Sequence, residues 1–137
     1  MEKKIMNRSF LFAILALVAG VFYREFTKFN GFVGRTTLAF MHPHFLMMGT
    51  FFLIILVIFF KNFEVFDKKK FEKHFKIYSI GLIFTVIMML VRGVTQVLNM
   101  SLTLGQDKAI SGIAGIAHII FGVTFIMILN DMKKSIK

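Results

Sequence analysis

The sequence predicts an all-α membrane protein, a four-transmembrane-helix bundle with both termini cytoplasmic. Three observations predict it. Hydrophobic residues make up 57% of the 137-residue chain and the mean hydropathy is +0.76, above what soluble globular chains show. Four apolar runs, 9–26, 36–60, 77–98 and 109–129, each reach or approach the ~20 residues that cross a ~30 Å hydrocarbon core. Lys and Arg fall mainly in the segments between these runs, and heavily on one side. The length fits a single domain over residues 1–137.

The first run follows Lys3, Lys4 and Arg8, as a signal peptide would. Its apolar stretch continues to about Phe22, beyond the ~7–15 residues of a signal core, so a retained span is expected. Asn30-Gly31 then signals a turn. The second run opens on Met41-His42-Pro43-His44. The segment KNFEVFDKKKFEKHFK, Lys61–Lys76, mixes charge with Phe63, Phe66, Phe71 and Phe75. It reads as a solvated interfacial turn whose lysines meet the anionic lipid bilayer. His74 goes with it and is not expected to be a ligand. The third run carries Arg92 and Gln96 near its end, and the fourth has His118 in its middle.

Orientation follows from the cations. Lys3, Lys4, Arg8, Lys61, Lys68, Lys69, Lys70, Lys73, Lys76, Lys133, Lys134 and Lys137 share one side, against Arg24, Lys28, Arg35 and Lys108 on the other. The positive-inside rule puts the first set in the cytoplasm, in a cell-membrane protein. A formal charge of +10 distributed this way describes topology, and nucleic acid is excluded as a partner. The absence of Cys excludes disulfides, thiolate metal sites and iron–sulfur clusters.

With that orientation the polar residues share one depth. His42 and His44 lie roughly 9–12 Å in from Thr36, His118 roughly 13 Å in from Ala109, and Arg92 roughly 9 Å from Leu98 at ~1.5 Å per residue. Gln96 is one turn beyond Arg92, and Tyr23 and Arg24 close the set at the outer end of the first span. The inner half is expected to be purely apolar. Buried ionisable groups are costly unless they have a partner, so three histidines on two spans suggest a site. Around His118, Ser111, Ala114, Gly115 and Gly122 occupy i−7, i−4, i−3 and i+4, the same helix face. Such a face either packs closely on another helix or leaves room for a flat macrocycle. Gly20 and Gly49 are expected to add further gaps. Pro43 starts or kinks its helix, releasing carbonyls near Ala39 and Phe40. On a regular helix His42 and His44 point about 200° apart, so one is expected to be a ligand and the other a supporting residue.

The segments AGVFYREFTKFNGF, HPHFLMMG, MMLVRGVTQVL and SGIAGIAHIIFG resemble an uncharacterised family of small four-span bacterial membrane proteins of the low-GC Gram-positive type. That resemblance covers nearly the whole chain and implies topology without an activity. HPHFLMMG is also similar to the second helix of haem–copper oxidase and nitric-oxide reductase core subunits, where a histidine binds low-spin haem b. The chain lacks the further histidines and the length of that fold, so it is not a complete oxidase.

Three functions are expected in order. The first is a haem b protein with His44 and His118 as axial ligands and His42 as the competing ligand. Arg92 with Arg24 or Arg35 would meet the propionates, Gln96 and Tyr23 would hydrogen-bond them, and Gly115 and Gly122 would make room. Two axial histidines favour electron transfer or haem handling over catalysis, with quinone or a redox protein as partner; homo-oligomerisation is left open. The second is copper or another transition metal held by His42, His44 and His118 with Met41, Met47, Met48, Met88 or Met89. Most of those methionines read as packing. The third is an accessory membrane subunit without a cofactor.

Overall fold

The computed structural model describes residues 1–136. It consists of α1 (Glu2–Phe29), α2 (Thr37–Asn62), α3 (Lys68–Val97) and α4 (Leu104–Ser135), with no strand among the described residues. All four helices are long and apolar enough to cross a membrane. The third and fourth start ahead of their apolar segments because side-chain caps set those ends. The Asp67 side chain accepts the Lys70 N–H at 3.0 Å and starts α3. Thr103 and Gln106 form a reciprocal capping box that starts α4. Gly31, at φ +57°, turns the chain after α1. The loop expected over Lys61–Lys76 accordingly shrinks to residues 63–67.

Consecutive helices pack side by side, α1 on α2, α2 on α3 and α3 on α4, with the first and last of these pairs the most extensive. Helix α4 buries one stripe, Ala117, Phe121, Thr124, Ile128, Asp131 and Ser135, spaced alternately four and three apart. The core is aromatic. Phe12 of α1 stacks on Phe45 of α2, and Tyr78 of α3 sits between Phe52 and Phe121. The Tyr78 hydroxyl donates to the Met48 carbonyl at 2.8 Å, so the ring is buried without an orphaned polar group.

Helix α2 is a composite. Thr37–Phe40 is a 3₁₀ turn, Met41–Pro43 an α turn, His44–Phe51 a π stretch and Phe52–Asn62 regular α-helix. Pro43 has no N–H and its ring crowds the preceding turn, so the ladder slips here. Its first turn is latched to α3. Thr36 Oγ1 donates to the Gly93 carbonyl (3.2 Å), Thr37 Oγ1 to the Met89 carbonyl (2.8 Å), and the Thr37 N–H to Gln96 Oε1 (2.9 Å). The approach is close enough that a Cβ on Gly93 would lie 2.8 Å from the Leu38 backbone nitrogen.

The end of the bundle that holds both termini is not purely apolar, and His74 is not solvated. The His74 Nδ1–H donates to Asp131 Oδ2 at 2.6 Å, with the side chains only 11% and 10% exposed. Because α3 begins at Lys68, Phe71, His74, Phe75 and Tyr78 share one helical face and are all buried. Ser9 Oγ donates to the Thr50 carbonyl at 3.1 Å near the same end.

Replacing Gly93 with Ala forces α2 away from α3 and is expected to destabilise by about 1–3 kcal/mol, the usual cost of overpacking. Gly112→Ala, where a Cβ meets nothing within 4 Å, is expected to be neutral or mildly stabilising. Thermal melts of both variants in one detergent, followed by circular dichroism, test the contrast.

Candidate functional site

His44 of α2 and His118 of α4 face each other, with ring centroids 6.4 Å apart and ring planes at 86°. Each ring is oriented by its own helix. His44 Nδ1 lies 2.8 Å from the Phe40 carbonyl, and His118 Nδ1 lies 2.8 Å from the Ala114 carbonyl. A carbonyl oxygen only accepts, so Nδ1 carries the proton in both rings. In the neutral imidazoles the Nε2 lone pairs remain for another partner. The Phe40 carbonyl is available because the His44 backbone N–H bonds Met41 instead. On α4 the side chain folds back over the preceding turn, as helical side chains do. His118 lies fourteen residues into α4 and not nine, since the capping box starts the helix earlier.

The face of α4 around His118 is open. A Cβ on Gly112, Gly115 or Gly122 would meet nothing within 4 Å, so these glycines do not serve helix packing within the chain. Gly20 and Gly49 differ from the expected gaps. A Cβ on Gly20 would lie 3.3 Å from His42 Nδ1, and one on Gly49 would lie 2.7 Å from Phe12, so both are filled by neighbours. Thr85 of α3 is fully buried and its hydroxyl has no partner among the described residues. Gly81 packs on Phe121 and Arg92 reaches Ser111, so the antiparallel register puts Thr85 level with Ala117, next to His118.

The other expected residues divide. His42 turns away from this pair and places Nδ1 2.8 Å from the Ala16 carbonyl of α1. Arg92 donates to the Asp107 carboxylate, to the Asp107 carbonyl at 3.1 Å and to Ser111 Oγ at 2.7 Å. Gln96 is engaged by Thr37, and with Tyr23, Arg35, Thr36 and Phe40 it lines a cavity of about 480 Å³. Arg35, Arg92, Gln96 and Asp107 line a neighbouring one of about 500 Å³. Arg24 is 80% exposed and pairs loosely with Glu25 at 3.7 Å. Among the described residues no three of His, Cys, Asp and Glu are grouped to hold a metal ion.

Nothing in the sequence alone marks Asp107, Thr37 or Thr85, and Ser111 enters it only as a small residue on the His118 face. Asp107 reads as part of a polar loop, although it lies four residues after Thr103, in the first turn of a capped helix. Neutralising one partner of the Arg92–Asp107 pair is expected to cost more than neutralising both, with a coupling of about 1 kcal/mol for a half-exposed pair. A double-mutant cycle of Arg92→Gln and Asp107→Asn, read by thermal denaturation, measures it.

No curated protein and no solved structure matches the chain, and the likeness of HPHFLMMG to the oxidase helix gains no support from either comparison. The family described as Protein of unknown function (DUF2871) matches residues 1–135, which takes in all four helices and every residue of the histidine site. The chain belongs to that family.

Proposed function

We propose that this is a multi-pass protein of the cell membrane that binds haem b between α2 and α4, with His44 and His118 as axial ligands, and that it transfers electrons or handles haem. The mutual placement of the two imidazoles carries this reading. Imidazoles ligating one metal from opposite sides at about 2 Å, with each ring centre about 1.1 Å behind its nitrogen, have centroids roughly 6 Å apart. The separation here is 6.4 Å. A metal-bound histidine characteristically donates its second N–H to a carbonyl or carboxylate, and both rings already do so. The open space beside Gly115 and Gly122 suits a flat macrocycle, and the unpartnered Thr85 hydroxyl lies at the same level.

A bare copper ion is less well served. It would draw on all three histidines, and His42 is committed to α1. Haem iron needs only two axial nitrogens, because the macrocycle brings its own four.

When bound, haem supplies one-electron redox chemistry, and two protein ligands leave no coordination position for a substrate. The chain's own residues orient the group and balance its charge. Ser111 is seven residues before His118, about 10 Å along the axis, and holds the Arg92 guanidinium at that distance. With Arg24 turned to Glu25, Arg35 is the second cation suited to a propionate, while Tyr23 and Gln96 line the adjoining cavity. A quinone or a redox protein would approach this end. The positive-inside count makes it the outer end, with both termini cytoplasmic.

Protein purified from haem-supplied cells is expected to show a Soret band and, on reduction, sharp α and β bands. His44→Ala and His118→Ala should each abolish this spectrum, and His42→Ala should retain it. Near-perpendicular imidazole planes further predict a highly anisotropic low-spin electron paramagnetic resonance signal in the oxidised state. Absence of a Soret band despite ample haem, or its survival in both His44→Ala and His118→Ala, would overturn the proposal.

A further inference from the structure

At the opposite end of the bundle from Arg92, α1 and α3 enclose a cleft of about 580 Å³. Its mouth carries five cations, Lys4, Arg8, Lys69, Lys73 and Lys76, against the single carboxylate of Glu72. The one ion pair across it among the described residues, Lys4 to Glu72, is loose at 3.9 Å, with both side chains more than half exposed. Deeper in, the wall turns apolar at Phe75, Ile80 and Ile83. Like charges from two helices are thus gathered around a space with a hydrocarbon floor, and the chain itself provides too few anions to balance them.

We propose that this cleft binds an anionic phospholipid, with the phosphate among the cations and an acyl chain running along Ile80 and Ile83. Each part of the wall has a use in that assignment. The planar fork of Arg8 suits bidentate contact with phosphate oxygens, and the lysines add point charges around it. A soluble phosphodiester would satisfy the mouth and leave the apolar wall idle. A zwitterionic lipid would bring its own cation into a site already crowded with them. Basic pockets between membrane helices are suited to anionic head groups for these reasons. The lipid would also tie the start of α1 to the start of α3, beside the loose Lys4–Glu72 contact.

The test uses the full chain in a mild detergent, offered phosphatidylglycerol or phosphatidylcholine with identical acyl chains, with lipid retention read by native mass spectrometry. Selective retention of a single phosphatidylglycerol is expected. The double variant Arg8→Gln with Lys73→Gln should lose it, with an affinity change on the order of twenty-fold at about five-fold per charge. The control pair Lys133→Gln with Lys134→Gln removes the same charge outside the cleft and should retain it. Equal loss in the two pairs, or equal retention of phosphatidylcholine, overturns the assignment. So does displacement of the lipid by glycerophosphoglycerol alone, which would mark a site for a soluble phosphodiester. If the charge variant does not fold by circular dichroism, Ile83→Trp decides: it keeps every cation and fills the apolar wall, and undiminished retention in it counts against the proposal.

Discussion

Inside a bilayer every backbone amide and carbonyl needs a partner from the protein itself, and Pro43 withholds one amide in the second span. The arrangement of the histidines follows from that single shortage. With the ladder slipped, the His44 backbone N–H bonds the Met41 carbonyl, and the His44 side chain takes the Phe40 carbonyl. Satisfying this backbone group fixes the proton on Nδ1 and turns Nε2 away from α2. The π stretch that follows, His44–Phe51, brings Gly49 against Phe12 and leaves His42 to cap a carbonyl of α1. Two histidines separated by one proline therefore serve different helices.

The opposing ring is held from both ends of its helix. Near one end of α4, Asp107 and Ser111 grip Arg92; near the other, Asp131 accepts from His74. Both ties run to α3, as does the buried stripe between them. Rotation of α4 about its axis would break all of these at once, so the direction of His118 is set by groups far from it. A pair of rings placed on helices in this way is better defined than one carried on loops.

The architecture was legible in the sequence because four apolar runs have few alternatives, and the cations between them mark the turns. The helix ends were less legible, although the signals were present. Asp67 three residues before Lys70 and Thr103 three before Gln106 are ordinary N-terminal caps, set among polar and charged residues that equally suit a loop. Without the Asp67 cap, His74 would belong to a solvated loop. Once α3 starts at Lys68, Phe71, His74, Phe75 and Tyr78 fall on one buried face. The glycines show the opposite limit. Gly20, Gly49, Gly93, Gly115 and Gly122 look alike in the sequence, and only the packing separates those pressed against a neighbour from those facing open space. Asp107 and Thr85 belong to the same class, since their significance comes from which residues of another helix they meet.

The placement of the two facing rings on the second and the last helix also bears on how such a protein is made. Chains emerge N-terminus first, and the Thr36–Gly93 latch and the Phe12–Phe45 stack that join α1, α2 and α3 involve no residue of α4. At that stage His44 is oriented but has nothing opposite it. Helix α4 rests mainly on α3, a helix that precedes it in the chain. The second imidazole arrives only with the final span. An unfinished or truncated chain offers half of the pair, and capture of anything that needs both nitrogens becomes a report on completed biosynthesis.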